Sequence, residues 1–373
     1  MVLCLAVSGL EVLKWVGYFL VALLCLMLMI MLHELGHYTF GKIFKFKINE
    51  FSIGFGPKLF SKTNKKSGEV FSVRAVPLGG FCSFAGEDEE GESDGDFNKR
   101  PVWQRIIVLF AGAGFNFLSA FIVITIFFSA YGEYFPVVGN AYQHVEYVED
   151  GSYTLIEGSQ QLQEGDIILS VNGKNCYSLL EYNRLSSLIG KEDDNIEIVV
   201  IRDGAKQTLN VQKHYYVTDT ESGEQVSTNK GLGISMGSYS VQKLSAGQAF
   251  THGAAFGYDV LRVTVNSVKQ IFNGAISVGE SMGGTATAIF SLAQLVQAGI
   301  PAIIYGFCIL SMSIGIMNIL PLPALDGSRI IFAIIEGIRR KPLNRKIEGT
   351  IHFVGLIVLF ALAIILDLVH FFG

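Results

Sequence analysis

Near the N-terminus the stretch LMLMIMLHELGHYTFGK places His33, Glu34 and His37 at the end of an apolar run. On a helix, positions i and i+4 share a face, so both imidazoles can hold one zinc ion while Glu34 reaches a water beside it as general base. The chemistry this points to is metal-assisted hydrolysis. One ionisable side chain at bilayer depth costs about 3 kcal/mol on insertion scales, so three within about one turn need a compensating partner. Two protein ligands are too few, because a catalytic zinc keeps three and one open position. The better candidate for the third is Asp326 in IGIMNILPLPALDGSRIIFAIIEG, where it is the sole carboxylate between Glu280 and Glu336. His352 and His370, near the two ends of the last apolar run, remain alternatives and read otherwise as interfacial histidines. Pro321 and Pro323 each remove a backbone donor and bias the preceding residue away from helix, so the chain is expected to unwind there and carry Asp326 on a loop. Unwound backbone at membrane depth is tolerated where it lines a protected site.

The elements that must position these groups are membrane spans. Of 373 residues, 50% are hydrophobic and 16% charged, which is too apolar for a soluble enzyme of this size. A net charge of -5 offers no basic excess for nucleic acid. Five cysteines without CxxC spacing support neither a disulfide framework nor a thiolate zinc site. No cleavable signal peptide is expected, because only Lys14 precedes the first span as a basic residue. Four runs, near 15–37, 106–130, 299–320 and 351–371, are long enough to cross about 30 Å of hydrocarbon. Lys and Arg number 11 in 41–105 and 6 in 321–350 against one in the first 14 residues, which puts both basic segments in the cytoplasm and the long segment 131–298 outside.

Between the first two spans, FSIGFGPKLFSK and EVFSVRAVPLGGFCSFAGE flank the turn-prone TNKKSG, a hairpin signature. It lies either at the cytoplasmic surface or as a re-entrant sheet dipping into the bilayer. The acidic run EDEEGESDGD reads as a solvated loop. Farther on, LQEGDIILSVNGKNCYSLLEYNRLSSLIG reads as a strand, a turn at Asn172 and Gly173, and an amphipathic helix between Leu179 and Leu188, with two strands and a turn at Asp203 and Gly204 after it. This resembles a PDZ domain, present once. The fold class expected is thus an α-helical polytopic membrane protein with an inserted extracytoplasmic α+β domain. In order come a first span with HExxH (1–40), a hairpin and acidic loop (41–105), a second span (106–130), the PDZ domain (131–235), a juxtamembrane amphipathic helix region (236–298), a third span with NxxPxPxLDG (299–330), a cytoplasmic segment (331–350) and a fourth span (351–373).

With HExxH in a first span, NILPLPALDG in a third and an external PDZ domain between them, the chain resembles the site-2 protease family, bacterial intramembrane zinc proteases of the regulator-of-sigma-E type. VPLGGF, QRIIVLFAGAGFNF, LQEGDIILSVNG and RKPLNRKIEGTIHFVG follow in family order. The resemblance implies His33, His37 and Asp326 as zinc ligands and Glu34 as general base. It implies that Asn318 bonds substrate backbone, that Asn116 is the asparagine of the second-span motif, and that the hairpin offers substrate an edge strand. Ala113 stands where that motif has proline, SMGGTA where relatives have Ser-Gly-Pro, and Ser328 where glycine is usual. The activity implied is cleavage within or near the membrane span of single-span proteins in the bacterial inner membrane, such as an anti-sigma factor or remnant signal peptide, after a first cut by a site-1 protease. The competing reading is a membrane metal transporter or channel, which expects inverted repeats that this sequence does not contain. A scaffold with a dead site would lack Glu34 or a ligand.

Overall fold

The computed structural model describes residues 9–87, 93–147, 152–176, 194–220, 223–273 and 284–372. They form two compact units, one of 1–124 with 253–373 and one of 125–252.

Among the described residues four helices are long and apolar enough to cross a membrane: Leu10–Ile43, Val102–Ala130, Ile300–Ile319 and Arg345–Phe371. The first belongs to α1 (Gly9–Ile43), the second is α2 (Val102–Ala130). Between them, β1 (Ile48–Thr63) and β2 (Val70–Phe84) pair as a long hairpin that folds over on itself. Residues 70–73 pair with 60–63 on one side and with 50–53 on the other, and 50–53 pair in turn with 80–83. Gly54 (φ 84°) and Gly56 (φ 83°) supply the corner, a conformation closed to most side chains. The outer strand 80–84 is left as an edge among the described residues. The base of the hairpin is fixed by a buried aromatic and aliphatic cluster of Phe46, Ile48, Phe84, Phe97, Val108 and Leu109.

The second unit holds a sheet in the order β12-β3-β6-β8-β9, built from β3 (Glu133–Ala141), β6 (Ile167–Val171), β8 (Asn195–Arg202), β9 (Ala205–Gln212) and β12 (Ile234–Gln242), with β7 (Lys174–Asn175) beside β6. A second sheet joins β4 (His144–Tyr147), β5 (Tyr153–Leu155), β10 (Tyr215–Thr220) and β11 (Gly223–Val226). Positive φ at both Asn172 and Gly173, and at both Asp203 and Gly204, makes the tight turns that return the chain after β6 and β8. Alternate residues of these strands, including Ile168, Ile196, Ile198, Val200 and Val211, meet in a closed core. The helix expected between Leu179 and Leu188 lies outside the described residues.

The region 236–298, expected to hold one amphipathic helix, contains α3 (Ala246–Phe272) and a second helix after it. The short apolar α4 (Thr285–Ala298) packs along α1, with the Trp15 and Phe290 rings stacked at 6.0 Å. Gly299, at φ 106°, separates it from α5 (Ile300–Ile319), which Pro301 initiates. α5 ends before Pro321, as expected from its missing donor, but Asp326 is the first residue of a new helix, α6 (Asp326–Arg339), rather than part of a loop. The segment 331–350 is therefore largely helical, closed by Arg340 in the left-handed region (φ 52°) before α7 (Arg345–Phe372). Phe353, Ile357, Phe360 and Ile364 on α7 are exposed at helical spacing, the pattern of a lipid-facing stripe. The two described ends of the acidic run are not simply solvated: its last residue, Asp96, is buried and bonded by Ser93, and its first, Glu87, pairs with Arg329 of α6.

Candidate metal centre

His33 and His37 lie one turn apart on α1 and are each 6% exposed. Six residues at 1.5 Å separate His37 from the helix end at Ile43, a rise of about 9 Å. The two Nε2 atoms are 3.1 Å apart, and Asp326 Oδ2 lies 3.0 Å from that of His33 and 3.3 Å from that of His37. Among the described residues this is the one group of three that could hold a metal ion.

The donor set fits zinc. Four ligands at 2.0–2.1 Å from a tetrahedral ion are about 3.3 Å from one another, close to the three separations seen. His37 Nδ1 donates to the Val108 carbonyl at 2.8 Å, which leaves its Nε2 with a bare lone pair. That nitrogen, His33 Nε2 and the Asp326 carboxylate oxygen converge on one point, an arrangement suited to a divalent cation.

Close backbone contact makes room for them. A Cβ on Gly112 of α2 would fall 2.4 Å from His37 Nε2 and 2.8 Å from His33 Cε1. Within HELGH itself, a Cβ on Gly36 would meet the Ala111 carbonyl oxygen at 2.2 Å. Gly112 of AGAG and Gly36 of HELGH therefore let α2 cover the imidazoles, a role the motif alone did not announce. The loop before Asp326 is held as tightly. A Cβ on Gly327 would strike the Ile319 oxygen at 2.1 Å, and one on Gly355 of α7 would strike Pro323 Cβ at 2.2 Å. Ala324, at φ 74°, donates its N–H to His352 Nδ1 at 3.2 Å. His352 thus supports the loop and is not in the cluster, and His370 instead meets the Phe371 ring edge-on.

Glu34 faces the hairpin. The Cys82 backbone N–H donates to its carboxylate, and a Cβ on Gly80 would lie 3.7 Å from its Cγ. The edge strand 80–84 therefore runs past the group beside the two histidines. Asn318, in the last turn of α5, donates through Nδ2 to the Ile314 carbonyl at 3.0 Å. Asn116 lies on α2, one turn beyond Gly112, fully buried, and neither atom of its side-chain amide has a partner. Its backbone carbonyl accepts from Ser311 of α5 at 3.3 Å, tying the second and third spans.

The sequence profile described as peptidase family M50 matches residues 21–362. A predicted zinc metalloprotease of Fusobacterium nucleatum is 33% identical over 342 residues, covering 91% of this chain and 94% of its own. The regulator of sigma-W protease of Bacillus subtilis is 25% identical over 420 residues, covering 90% and 94%. A zinc metalloprotease of Bacillus licheniformis is 26% identical with the same coverage.

Proposed function

This chain belongs to peptidase family M50, and from that premise we propose that His33, His37 and Asp326 are the ligands of its zinc and Glu34 its general base. The protein is a zinc-dependent peptidase with four helices fit to span a membrane. The observation that carries the assignment is the convergence of three donor atoms at 3.0–3.3 Å from residues 293 positions apart, with a carboxylate beside them.

A zinc held by His33, His37 and Asp326 would supply the Lewis acid that makes water a nucleophile near neutral pH. Glu34 takes a proton from that water as its oxygen bonds the scissile carbonyl carbon, and returns the proton to the amine as the C–N bond breaks. The substrate is a single-span membrane protein cut within or near its span. Its helix hides its carbonyls, so local unwinding is needed at a cost of several kcal/mol in hydrocarbon. The edge strand 80–84 offers replacement backbone partners by β-augmentation, and its contact with Glu34 sets the bound strand beside the base. Asn318 joins by exchanging its bond to Ile314 for one to substrate. The unpartnered amide of Asn116 holds a donor and an acceptor in reserve one turn from the metal site. The hairpin is re-entrant in this reading, and the second unit is a PDZ-type domain on the outer face of a bacterial inner membrane that favours substrates already trimmed by a site-1 protease.

Glu34→Gln is expected to keep zinc and lower cleavage of a single-span substrate in detergent or vesicles by at least about 10²-fold. Cleavage at the parental rate would remove Glu34 from the role of base.

A further inference from the structure

Helix α6 carries Asp326 at its first residue and is gripped at two places along one face, by residues the proposed chemistry does not use. Arg329 and Glu336, seven residues apart, stand on that face two turns from each other, about 10 Å along the axis. Arg329 pairs with Glu87, whose Oε2 also accepts the backbone N–H of Phe84 at 3.2 Å, the last residue of the edge strand. Glu336 is chelated by Arg345 Nη2 at 2.9 and 3.1 Å and accepts from Arg105 Nη1 at 3.1 Å. Arg105 is 3% exposed. It also donates to Asn98 Oδ1 at 3.3 Å, and Asn98 Nδ2 in turn donates to the carbonyls of Gly86 and Glu87 at 2.7 and 2.9 Å. One polar chain thus runs from the foot of α7 through α2 to the end of the hairpin, touching α6 twice.

Burying such ions costs desolvation that their attraction need not repay, which leaves room for a geometric role. We propose that Glu87 and Glu336 are positioning residues, which lock α6 against the hairpin and against α2 and α7 so that the Asp326 carboxylate stays over His33 and His37. The network would then set the register between edge strand and metal ligand. This rests on Asp326 being a ligand.

The test is zinc affinity, measured by chelator competition on the full chain in detergent for wild type, Glu87→Gln, Glu336→Gln, Asp326→Asn and the exchange Glu87→Arg with Arg329→Glu. Outer groups that orient metal ligands typically govern about 10–100-fold in affinity. We expect Glu87→Gln and Glu336→Gln to lose roughly that factor and the exchange to regain part of it, since an arginine at 87 restores the pair to α6 but cannot accept the Phe84 N–H. Parental zinc affinity in Glu87→Gln would overturn the proposal, including the case in which Glu336→Gln fails to fold, because the Glu87 site is more exposed and tolerant. A drop in thermal stability with zinc affinity unchanged would overturn it too, as that is the mark of a structural pair. If Asp326→Asn binds zinc as wild type does, the ligand assignment falls, and with it this inference. If only Asp326→Asn loses zinc, the ligand assignment stands and the positioning role falls.

Discussion

At the scale of single residues, the proposed metal centre depends on what is missing as much as on what is present. Gly112 has no side chain, and a methyl there would sit 2.4 Å from His37 Nε2, inside any permitted contact. The neighbouring Gly114 has nothing within 4 Å of an added Cβ. Gly114→Ala should therefore be neutral or gain up to about 1 kcal/mol from helix propensity, with zinc retained. Gly112→Ala has the same propensity gain but should lower zinc content severalfold, because imidazoles and helix must part. Metal analysis of the two purified variants checks the contrast, and equal zinc in both would refute the close-packed cradle. The histidines and Glu34 were legible in the sequence because their meaning is local, a spacing on one helix. Asp326 stood out only as the better candidate, a lone carboxylate in apolar sequence, with His352 and His370 left open as alternatives. Gly112 and His352 were not, since a glycine's purpose and a histidine's partner are set by the element packed against it.

At the scale of elements, the hairpin shows what local patterning leaves out. Alternation and the TNKKSG turn marked two strands, but pairing of 50–53 with both 70–73 and 80–83 is a long-range arrangement, betrayed only by Gly54 and Gly56 at the corner. Inside the fold Glu50 accepts from Ser72, Arg74 and Lys58 at 2.6, 2.8 and 3.0 Å. Burial pushes its pKa up, yet those bonds prevail and bring it from 4.5 down to about 2. A depressed carboxylate stabilises the fold fully above its unfolded value and loses that contribution as pH falls from about 4.5 through about 2. Limited proteolysis of the hairpin should accordingly rise between pH 5 and pH 2, with Glu50→Gln cleaved faster at pH 7 and changing less across that window. Parallel pH profiles for the two proteins would exclude Glu50 as the cause. Helix α6 carried its own signal, since apolar Ile330, Ile331, Ile334 and Ile338 recur at helical spacing after Asp326; the two prolines marked the break in the chain and masked the helix beyond it.

At the scale of the whole molecule, composition and charge distribution foretold four spans, and four helices qualify. Buried charge is spread over both units, at Glu69, Asp96, Arg105 and Arg345 in the first and at Glu133, Asp166 and Lys213 in the second, and two of these, Arg105 and Arg345, meet at Glu336 of α6. Family membership says that zinc hydrolysis is the outcome, while the joining of a first-span motif to a residue beginning α6 is what this fold contributes to it. The most direct measurement is zinc stoichiometry of the purified chain and of Asp326→Ala, taken together with cleavage of a single-span substrate. One zinc per chain in the parent, with both metal and cleavage lost in the variant, is the predicted result. A parent that holds no zinc, or an Asp326→Ala chain that keeps its metal and cuts at the parental rate, would contradict the assignment.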